Sequence, residues 1–517
     1  MNLIRAITTI GSITLISRGF GFIRDILIAA TLGAGAGADA FFVAFKFPNL
    51  FRRLFAEGAV AAAFVPIFSG KLRAKSTVLA QKFFDEALAL LLWILLGFVI
   101  LAELTMPYLM SVFVPGFLGN TEKFELTVLL TRITFPYLLF IALVSLYAGV
   151  LNSLGRFAAA AATPILLNIC LIGAVLFLSN HTPSVAHALS WGVAIAGFVQ
   201  LFWLVYASHR AGILIRVNFP RLTPDTWVLL RRIFPVAVGA GIYQINLVLD
   251  TIIASFLPDG SISYLFYADR IIQLPLGVVG VAIGTALLPL LSHQIQAGDE
   301  KAAISSQNLA LEFSLLLTLP AAIALGVIAE PVIRILFERN EFSYDESIAT
   351  AGALSIYAWG LPAYILIKVL TPGYFAREDT KTPVKISILC ILVNLALNLL
   401  LMGPFLHKGI VIATVVSSWL NAILLACVLI KRRHVIFSDR LKVQVSKIIV
   451  AAALMGAVLS GTLGVYGDIL PESEYGGFLL LLGLIISGVV VFVGFAQLLG
   501  AVRWGELKIM LNDGGVK

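Results

Sequence analysis

Residues 478–500 read FLLLLGLIISGVVVFVGFAQLLG, a run of 23 residues without a charged side chain. The hydrocarbon core of a bilayer is about 30 Å thick, and an α-helix needs about 20 apolar residues to cross it. An irregular segment of the same composition would leave its backbone polar groups unpaired in lipid. This stretch therefore predicts a transmembrane helix, and similar stretches precede it along the chain.

The composition of the whole chain agrees with this prediction, because 60% of its 517 residues are hydrophobic and only 12% are charged. Soluble domains carry roughly 25% charged residues, so a soluble protein is excluded. Hydropathy and the turn residues between apolar runs predict an all-α membrane protein of about 14 transmembrane helices. The predicted spans are 4–31, 39–68, 80–104, 125–150, 158–179, 186–207, 228–256, 264–291, 306–328, 347–370, 383–402, 409–430, 445–466 and 477–500.

The connections between these spans differ in charge. Lysine and arginine gather in alternate connections, such as 71–75 and 431–442, whereas 33–38, 179–185 and 257–263 are nearly free of them. Positively charged loops tend to stay in the cytoplasm. The alternation therefore predicts that both termini are cytoplasmic, as an even number of helices also requires.

An internal repeat is visible at offsets close to 224 residues. The motif that begins at Asp25 recurs at Asp250, the one around Pro66 recurs around Pro289, and the one that begins at Gly149 recurs at Gly373. The period covers six helices, an even number, so both copies insert the same way up. This predicts two six-helix lobes, 1–210 and 211–433, related by a pseudo-two-fold axis along the membrane normal. Two appended helices follow in 434–517.

Charged residues in the first two predicted helices and in predicted helix 8 lie at depths where charge is costly. A central charge costs about 2.5–3.5 kcal/mol on the insertion scale, so these side chains must face water, protein or an anion. The candidates are Arg18, Arg24, Asp25, Asp39, Lys46, Arg52, Arg53, Glu57, Asp269 and Arg270.

Their spacing places several of these residues on common helix faces. Asp39, Lys46 and Arg53 recur at intervals of seven, and so do Arg18 and Asp25. Two interpretations remain open. The carboxylates pair with the cations and lock helix 1 to helix 2, or the surplus cations line a water-filled path for a phosphate or pyrophosphate, which arginine binds bidentately. The excess of cations over carboxylates favours the second interpretation.

A separate polar set predicts a coupling-ion site. Asp250 is a carboxylate within helix 7, Asn394 and Asn398 lie one turn apart in helix 11, and Thr414 lies in helix 12. One carboxylate with several neutral oxygens suits Na⁺ or a transported proton. Hydrogen bonds between helices are the more common use of such residues. The sequence has no G-x-x-x-x-G-K-[ST] motif, so an ion gradient or the membrane potential is expected to supply the energy, with no other cofactor.

Four longer blocks resemble one family. They are SRGFGFIRD at 17–25, GADAFFVAFKFPNLFRRLFAEGA at 37–59, YADRIIQLPLG at 267–277 and REDTKTPVK at 377–385. These blocks are similar to the MurJ (MviN) family of lipid II flippases, which belongs to the multidrug/oligosaccharidyl-lipid/polysaccharide exporter superfamily.

The resemblance implies a transporter rather than an enzyme. Such a protein moves lipid II, the undecaprenyl-pyrophosphate-linked peptidoglycan precursor, from the cytoplasmic to the periplasmic leaflet of the bacterial inner membrane by alternating access. The resemblance assigns the cationic cavity to Arg18, Arg24, Asp39, Arg52 and Arg270. It also implies that the appended helices form a groove for the lipid tail.

The implied partners are lipid II, membrane lipids and the cell-wall synthesis machinery that maintains cell shape, and no nucleic acid is expected. Two alternatives remain open: an exporter of drugs or of another polyprenyl-linked glycan, and a non-transporting scaffold of cell-wall assembly. A membrane glycosyltransferase would need a catalytic carboxylate motif in a sizeable loop. The loops between the predicted spans are too short for that.

Overall fold

The computed structural model describes residues 3–54, 61–74, 77–214, 216, 219–466 and 474–501. Throughout these residues the regular structure is helical, and the β-bridge between Arg339 and Phe342 is isolated. The all-α prediction is therefore confirmed for this part of the chain. The helices are α1 (Leu3–Leu32), α2 (Ala36–Leu54), α3 (Ala61–Arg73), α4 (Thr77–Phe113), α5 (Thr121–Thr134), α6 (Tyr137–Ser153), α7 (Phe157–Ala161), α8 (Thr163–Gly173), α9 (Val185–His209), α10 (Pro224–Ala254), α11 (Ser261–Gln296), α12 (Glu300–Val327), α13 (Ala329–Phe337), α14 (Tyr344–Phe375), α15 (Lys381–Lys431), α16 (Asp439–Tyr466) and α17 (Glu474–Leu498).

Nine helical stretches among the described residues are long and apolar enough to cross a membrane. Their lengths and compositions are those of a multi-pass membrane protein. The stretches are Thr77–Phe113, Thr121–Ser153, Phe157–His181, Val185–His209, Glu300–Val327, Tyr344–Phe375, Lys381–Lys431, Asp439–Val465 and Tyr475–Leu498.

Helix α15 is two helices joined at a sharp break. Leu406 has a φ of 50° and a ψ of −133°, and Pro404 precedes it. A Cβ atom on Gly409 would lie 2.4 Å from the carbonyl oxygen of Leu401, so only glycine permits this close approach. The break falls between the predicted spans 383–402 and 409–430, as the sequence indicated.

Two other predicted spans are less regular than expected. The span 125–150 is broken at Pro136, where α5 gives way to α6, because proline cannot donate the backbone hydrogen bond that a continuous helix needs. The span 158–179 consists of α7 and α8 followed by a π-turn and a 3₁₀-turn.

The short helix α13 was not predicted. With nine residues it is too short to cross a bilayer, so a search for long apolar runs passes over it. Ile333 and Phe337 are fully buried, and the Phe337 ring lies 5.2 Å from that of Tyr267. The helix is therefore a packing element of the fold.

The described residues divide into two compact units. One comprises those of 1–263 together with 339–342, and the other those of 264–338 and 343–517. Helix α10 lies in the first unit, whereas the predicted lobe 211–433 placed it in the second. The lobe boundaries themselves stay a prediction.

Gly116 offers a test of the packing in the first unit. It lies in a 3₁₀-turn between α4 and α5, and a Cβ atom there would lie 2.2 Å from the backbone oxygen of Ser255. We expect Gly116→Ala to lower the free energy of unfolding by about 1–3 kcal/mol, as overpacking generally does. Thermal unfolding of the purified protein in detergent measures this loss.

Gly119 in the same turn is the matched control, because a Cβ atom there meets no atom within 4 Å. Gly119→Ala should leave the unfolding midpoint unchanged. Equal midpoints for the two variants would contradict the packing.

Candidate substrate-binding site

Arg24 of α1 is buried and engaged by its neighbours. Its Nε and Nη2 atoms donate to Oδ1 of Asp25 at 2.9 and 2.6 Å, and Nη1 donates to Oδ1 of Asn168 at 2.8 Å. Asn168 of α8 also donates to the carbonyl oxygen of Ser17 at 3.0 Å. Arg24 and Asp25 therefore form an ion pair within one helix, whereas the first interpretation expected pairs that join helix 1 to helix 2. The seven-residue spacing had instead placed Asp25 on the face of Arg18.

Arg18 lies almost two turns before Arg24 on the same helix, and its surroundings differ. The side chain is half-buried. Among the residues that the structure describes, no carboxylate lies within 4 Å of its guanidinium group. Within the described residues its charge is thus not balanced by a direct ion pair, which is what the cavity interpretation predicts for an arginine that meets an anion.

The cations of α2 become more exposed towards the end of the helix. Lys46 and Arg52 are half-buried and Arg53 is exposed. Nε of Arg52 donates to Oδ1 of Asn49, one turn before it, at 2.8 Å. Arg52 and Arg53 also stand in the last turn of the helix, where the helix dipole favours positive charge. Glu57, the expected partner of Arg53, lies outside the described residues.

Asp39 at the start of α2 is a buried anchor, only 1% exposed. Its Oδ2 atom accepts hydrogen bonds from Nζ of Lys123 and from the backbone N–H of Gly260, both at 2.8 Å. Its Oδ1 atom accepts from the N–H and the hydroxyl of Ser263 at 2.9 and 2.7 Å. The carboxylate thereby satisfies free N–H groups at the start of α11. The sequence had left open a pair between Asp39 and a cation of helix 1 or 2, and no such pair occurs among the described residues.

Lys123 of α5 was missed by the sequence analysis. Its Nζ atom pairs with Asp39 at 2.8 Å and with Asp259 at 2.7 Å, and it lies 4.0 Å from the centre of the Phe117 ring. A signal was available, because Lys123 is the only basic residue in 105–124. A lone lysine in a connection otherwise free of basic residues has a structural reason to be there.

Asp269 and Arg270 lie on α11 in the second unit, and both are half-buried. Asp269 accepts a hydrogen bond from Nε2 of Gln273, one turn further on. The guanidinium carbon of Arg270 lies 4.7 Å from the centre of the Phe266 ring, a cation–π contact. These contacts orient both side chains along the helix.

Lys368 of α14 is a second cation that the sequence analysis missed. It is half-buried in a candidate membrane span. A Cβ atom on Gly280 would lie 3.0 Å from its Nζ, so the amine packs directly against α11. Among the described residues it has neither an ion pair nor a hydrogen-bond partner. It therefore adds positive charge to the second unit.

Three of the four predicted coupling-ion residues lie close together. Nδ2 of Asn398 donates to Oδ1 of Asn394 at 3.0 Å, and Nδ2 of Asn394 lies 3.4 Å from both the Thr414 and the Ser417 hydroxyl oxygens. These residues belong to the second unit, whereas Asp250 belongs to the first. The neutral residues therefore make hydrogen bonds between the two halves of α15, which is the more common use of such residues.

Asp250 has a local partner, Nδ2 of Asn246, at 3.5 Å on the same helix. Within the described ranges, no three His, Cys, Asp or Glu side chains come together as metal ligands. A Na⁺ or proton site at Asp250 stays a prediction.

The block 377–385 makes structural contacts between helices. Arg377 pairs with Glu300 at 2.6 Å, and Arg432 pairs with Asp379 at 2.6 Å. Hydrogen bonds from Thr382 and from Arg432 hold the pKa of the Asp379 carboxyl well below its usual range. Asp379 is therefore ionised at neutral pH and ties the start of α15 to its end.

With this geometry in place, comparison with known proteins decides the family. Residues 28–471 match the family model described as lipid II flippase MurJ. The chain belongs to the MurJ family. Within that family it is 42% identical to a probable lipid II flippase MurJ of Rhizobium tropici, over 98% of this chain and 96% of the relative. It is 38% identical to the protein of that description from Rickettsia prowazekii, over 98% and 99% of the two chains.

Solved structures agree with the MurJ assignment. A lipid II flippase MurJ in an inward closed conformation superposes with a TM-score of 0.78 at 27% identity, over 95% of this chain and 98% of that one. An inward-facing multidrug resistance transporter of the MATE family, from the MOP superfamily, gives a TM-score of 0.68 at 13% identity. It covers 82% of this chain and 97% of its own. The second likeness concerns the fold alone.

The Asp39–Lys123 pair carries a prediction about stability. Removing one partner of a buried ion pair leaves an uncompensated charge and costs about 3–5 kcal/mol. We expect Lys123→Met to lower the free energy of unfolding by that amount and Asp39→Asn/Lys123→Met to recover part of the loss. Thermal unfolding of the three purified proteins measures this.

Lys82→Met is the matched control, because Lys82 is exposed on α4 and should be replaced without loss. If Lys123→Met unfolds at the same temperature as Lys82→Met, Lys123 does not stabilise the buried carboxylate.

Proposed function

We propose that this protein flips lipid II from the cytoplasmic to the periplasmic leaflet of the bacterial inner membrane. Membership of the MurJ family supports the substrate. The observation that carries the mechanism is the contrast on α1 between Arg24, which is neutralised by Asp25, and Arg18, which has no carboxylate neighbour among the described residues.

The proposed architecture has about 14 transmembrane helices, in two six-helix lobes with two appended helices. Both termini lie in the cytoplasm, in agreement with the basic connections. The nine apolar stretches supply part of this count. In the proposed topology α1 and α2 also cross the membrane. They carry cations that the family resemblance assigns to the substrate path, and these need to lie within the bilayer.

The proposed binding chemistry is electrostatic. A pyrophosphate group carries negative charge and several acceptor oxygens, and guanidinium groups bind such anions through paired hydrogen bonds. Arg18 and Arg52 supply these groups from the first unit, with Lys46 and Arg53 as further cations. Arg270 and Lys368 are cations of the second unit. Arg24 positions the α1–α8 contact in the state described here, and its contact with substrate would require release from Asp25.

In this proposal transport proceeds by alternating access. A bound anion lowers the cost of holding cations in a low-dielectric region, so the loaded carrier can reorient more readily than the empty one. Moving one charge through 100 mV is worth about 2.3 kcal/mol. The membrane potential therefore contributes to the direction of reorientation.

Arg18 gives the direct test of this chemistry. We expect Arg18→Ala to abolish growth of a strain that depends on this protein as its flippase, because the bidentate anion contact is lost. Arg18→Lys should restore only part of the growth, because an ammonium group lacks the planar fork. Membrane abundance of each variant is measured by immunoblot.

Arg73→Ala provides the control, because Arg73 is an exposed arginine at the end of α3. It should support normal growth. Normal growth of Arg18→Ala at normal abundance would remove the anion mechanism.

Asp250 tests the proposed ion coupling. We expect Asp250→Asn to change the Na⁺ or pH dependence of lipid II translocation in proteoliposomes, because an amide neither ionises nor binds a cation comparably. Asn246→Ala removes only its helix neighbour and should have the smaller effect. An unchanged ion dependence in Asp250→Asn would exclude Asp250 as the coupling residue.

A further inference from the structure

A pocket of about 590 Å³ lies in the second unit where α12 and α16 begin. None of its residues belongs to the candidate substrate-binding set. The residues that line it come from the first turns of α12 and from the connection into α16. They are Lys301, Ile304, Ser305, Asn308, Leu309, Glu312, Ile436, Ser438 and Arg440.

Asn308 provides the first clue to a ligand. Its side chain is 8% exposed, and Nδ2 donates to the carbonyl oxygen of Ile436 at 2.9 Å. Its Oδ1 atom is buried and, among the described residues, accepts no hydrogen bond. A buried acceptor without a donor is costly and is uncommon in folded proteins. The pocket therefore calls for a ligand that donates hydrogen bonds at this point.

The charges of the pocket have both signs. Arg440 lies 3.6 Å from Glu312, and half of the arginine side chain is exposed. Lys301 is exposed and has no ion pair within the described part of the chain. The N-termini of α12 and α16 add positive potential at the same end. The pocket thus offers cations that bind an anion, and beside them a carboxylate and an amide oxygen that accept hydrogen bonds from a donor.

Exposed aliphatic side chains lie in the lining of the pocket and one turn beyond it on α16. Leu309, Ile436 and Val443 are 38%, 57% and 53% exposed. Charged residues Lys301, Arg440 and Lys442 lie at the same helix ends. A surface that combines basic residues with exposed aliphatic ones is typical of the boundary between lipid headgroups and acyl chains.

We propose that this pocket binds the headgroup of phosphatidylethanolamine. The phosphate lies against Lys301 and Arg440, and the ammonium group donates to Glu312 and to Oδ1 of Asn308. The acyl chains then follow the aliphatic surface beside the pocket. A free phosphate and phosphatidylglycerol both lack the positive charge that the ammonium group brings to Glu312, and a free phosphate also lacks acyl chains. This site is independent of which substrate the protein transports.

Native mass spectrometry of the full chain in detergent tests the site. The protein is titrated with phosphatidylethanolamine, with phosphatidylglycerol of the same acyl chains, and with soluble glycerophosphoethanolamine. We expect phosphatidylethanolamine to bind about fivefold more tightly than phosphatidylglycerol, the upper end of the range for one partly exposed charge pair. The soluble headgroup should bind far more weakly than the lipid, because it lacks acyl chains.

Three variants locate the binding. Glu312→Gln should remove the preference for phosphatidylethanolamine, and Lys301→Ala should weaken the binding of both lipids. Lys431→Ala, which removes an exposed lysine at the end of α15 outside the pocket, should change neither. Equal binding of the two lipids by the unaltered protein, a preference that survives Glu312→Gln, or equal binding of the soluble headgroup would each overturn the proposal.

Discussion

The buried carboxylate of Asp39 holds several helix ends of the first compact unit together. Asp39 is buried, and each of its oxygens accepts two hydrogen bonds, from Lys123 and Gly260 on one side and from Ser263 on the other. An ion in this position is stable only when every acceptor site is used. The start of α2, the start of α5 and the turn that begins α11 are therefore fixed relative to one another within this unit. The cations further along α2 project from a fixed helix.

The same rule explains why two arginines of α1 differ. Arg24 is buried, and its charge is balanced by Asp25 with a further hydrogen bond to Asn168. Arg18 is half-buried and, in the part of the chain that the structure describes, has no such carboxylate. A membrane protein retains an arginine of this kind at a cost of a few kcal/mol. The cost is understandable if an anionic headgroup periodically occupies the position, as the family of the chain suggests.

Hydrophobic patterning was enough to predict the helical fold, because lipid imposes long apolar helices and Pro404 marks the break within α15. It missed α13, which is short, and it did not foresee the break at Pro136 within an apolar run. Residue spacing placed Asp39 on a face of α2 but could not identify Lys123, 84 residues away, because a partner on another helix depends on packing. Spacing also placed Asp25 on the face of Arg18, because it considers only shared helix faces, whereas the long side chain of the adjacent Arg24 reaches the carboxylate directly.

The proposed mechanism requires this protein to carry lipid II between the leaflets, with the pyrophosphate held by positively charged side chains. Its most direct test is the leaflet accessibility of lipid II in cells in which this protein is the only flippase and can be depleted. We expect lipid II to disappear from the periplasmic leaflet on depletion and to accumulate in the cytoplasmic leaflet. Lipid II that remains equally accessible from the periplasm after depletion would contradict it.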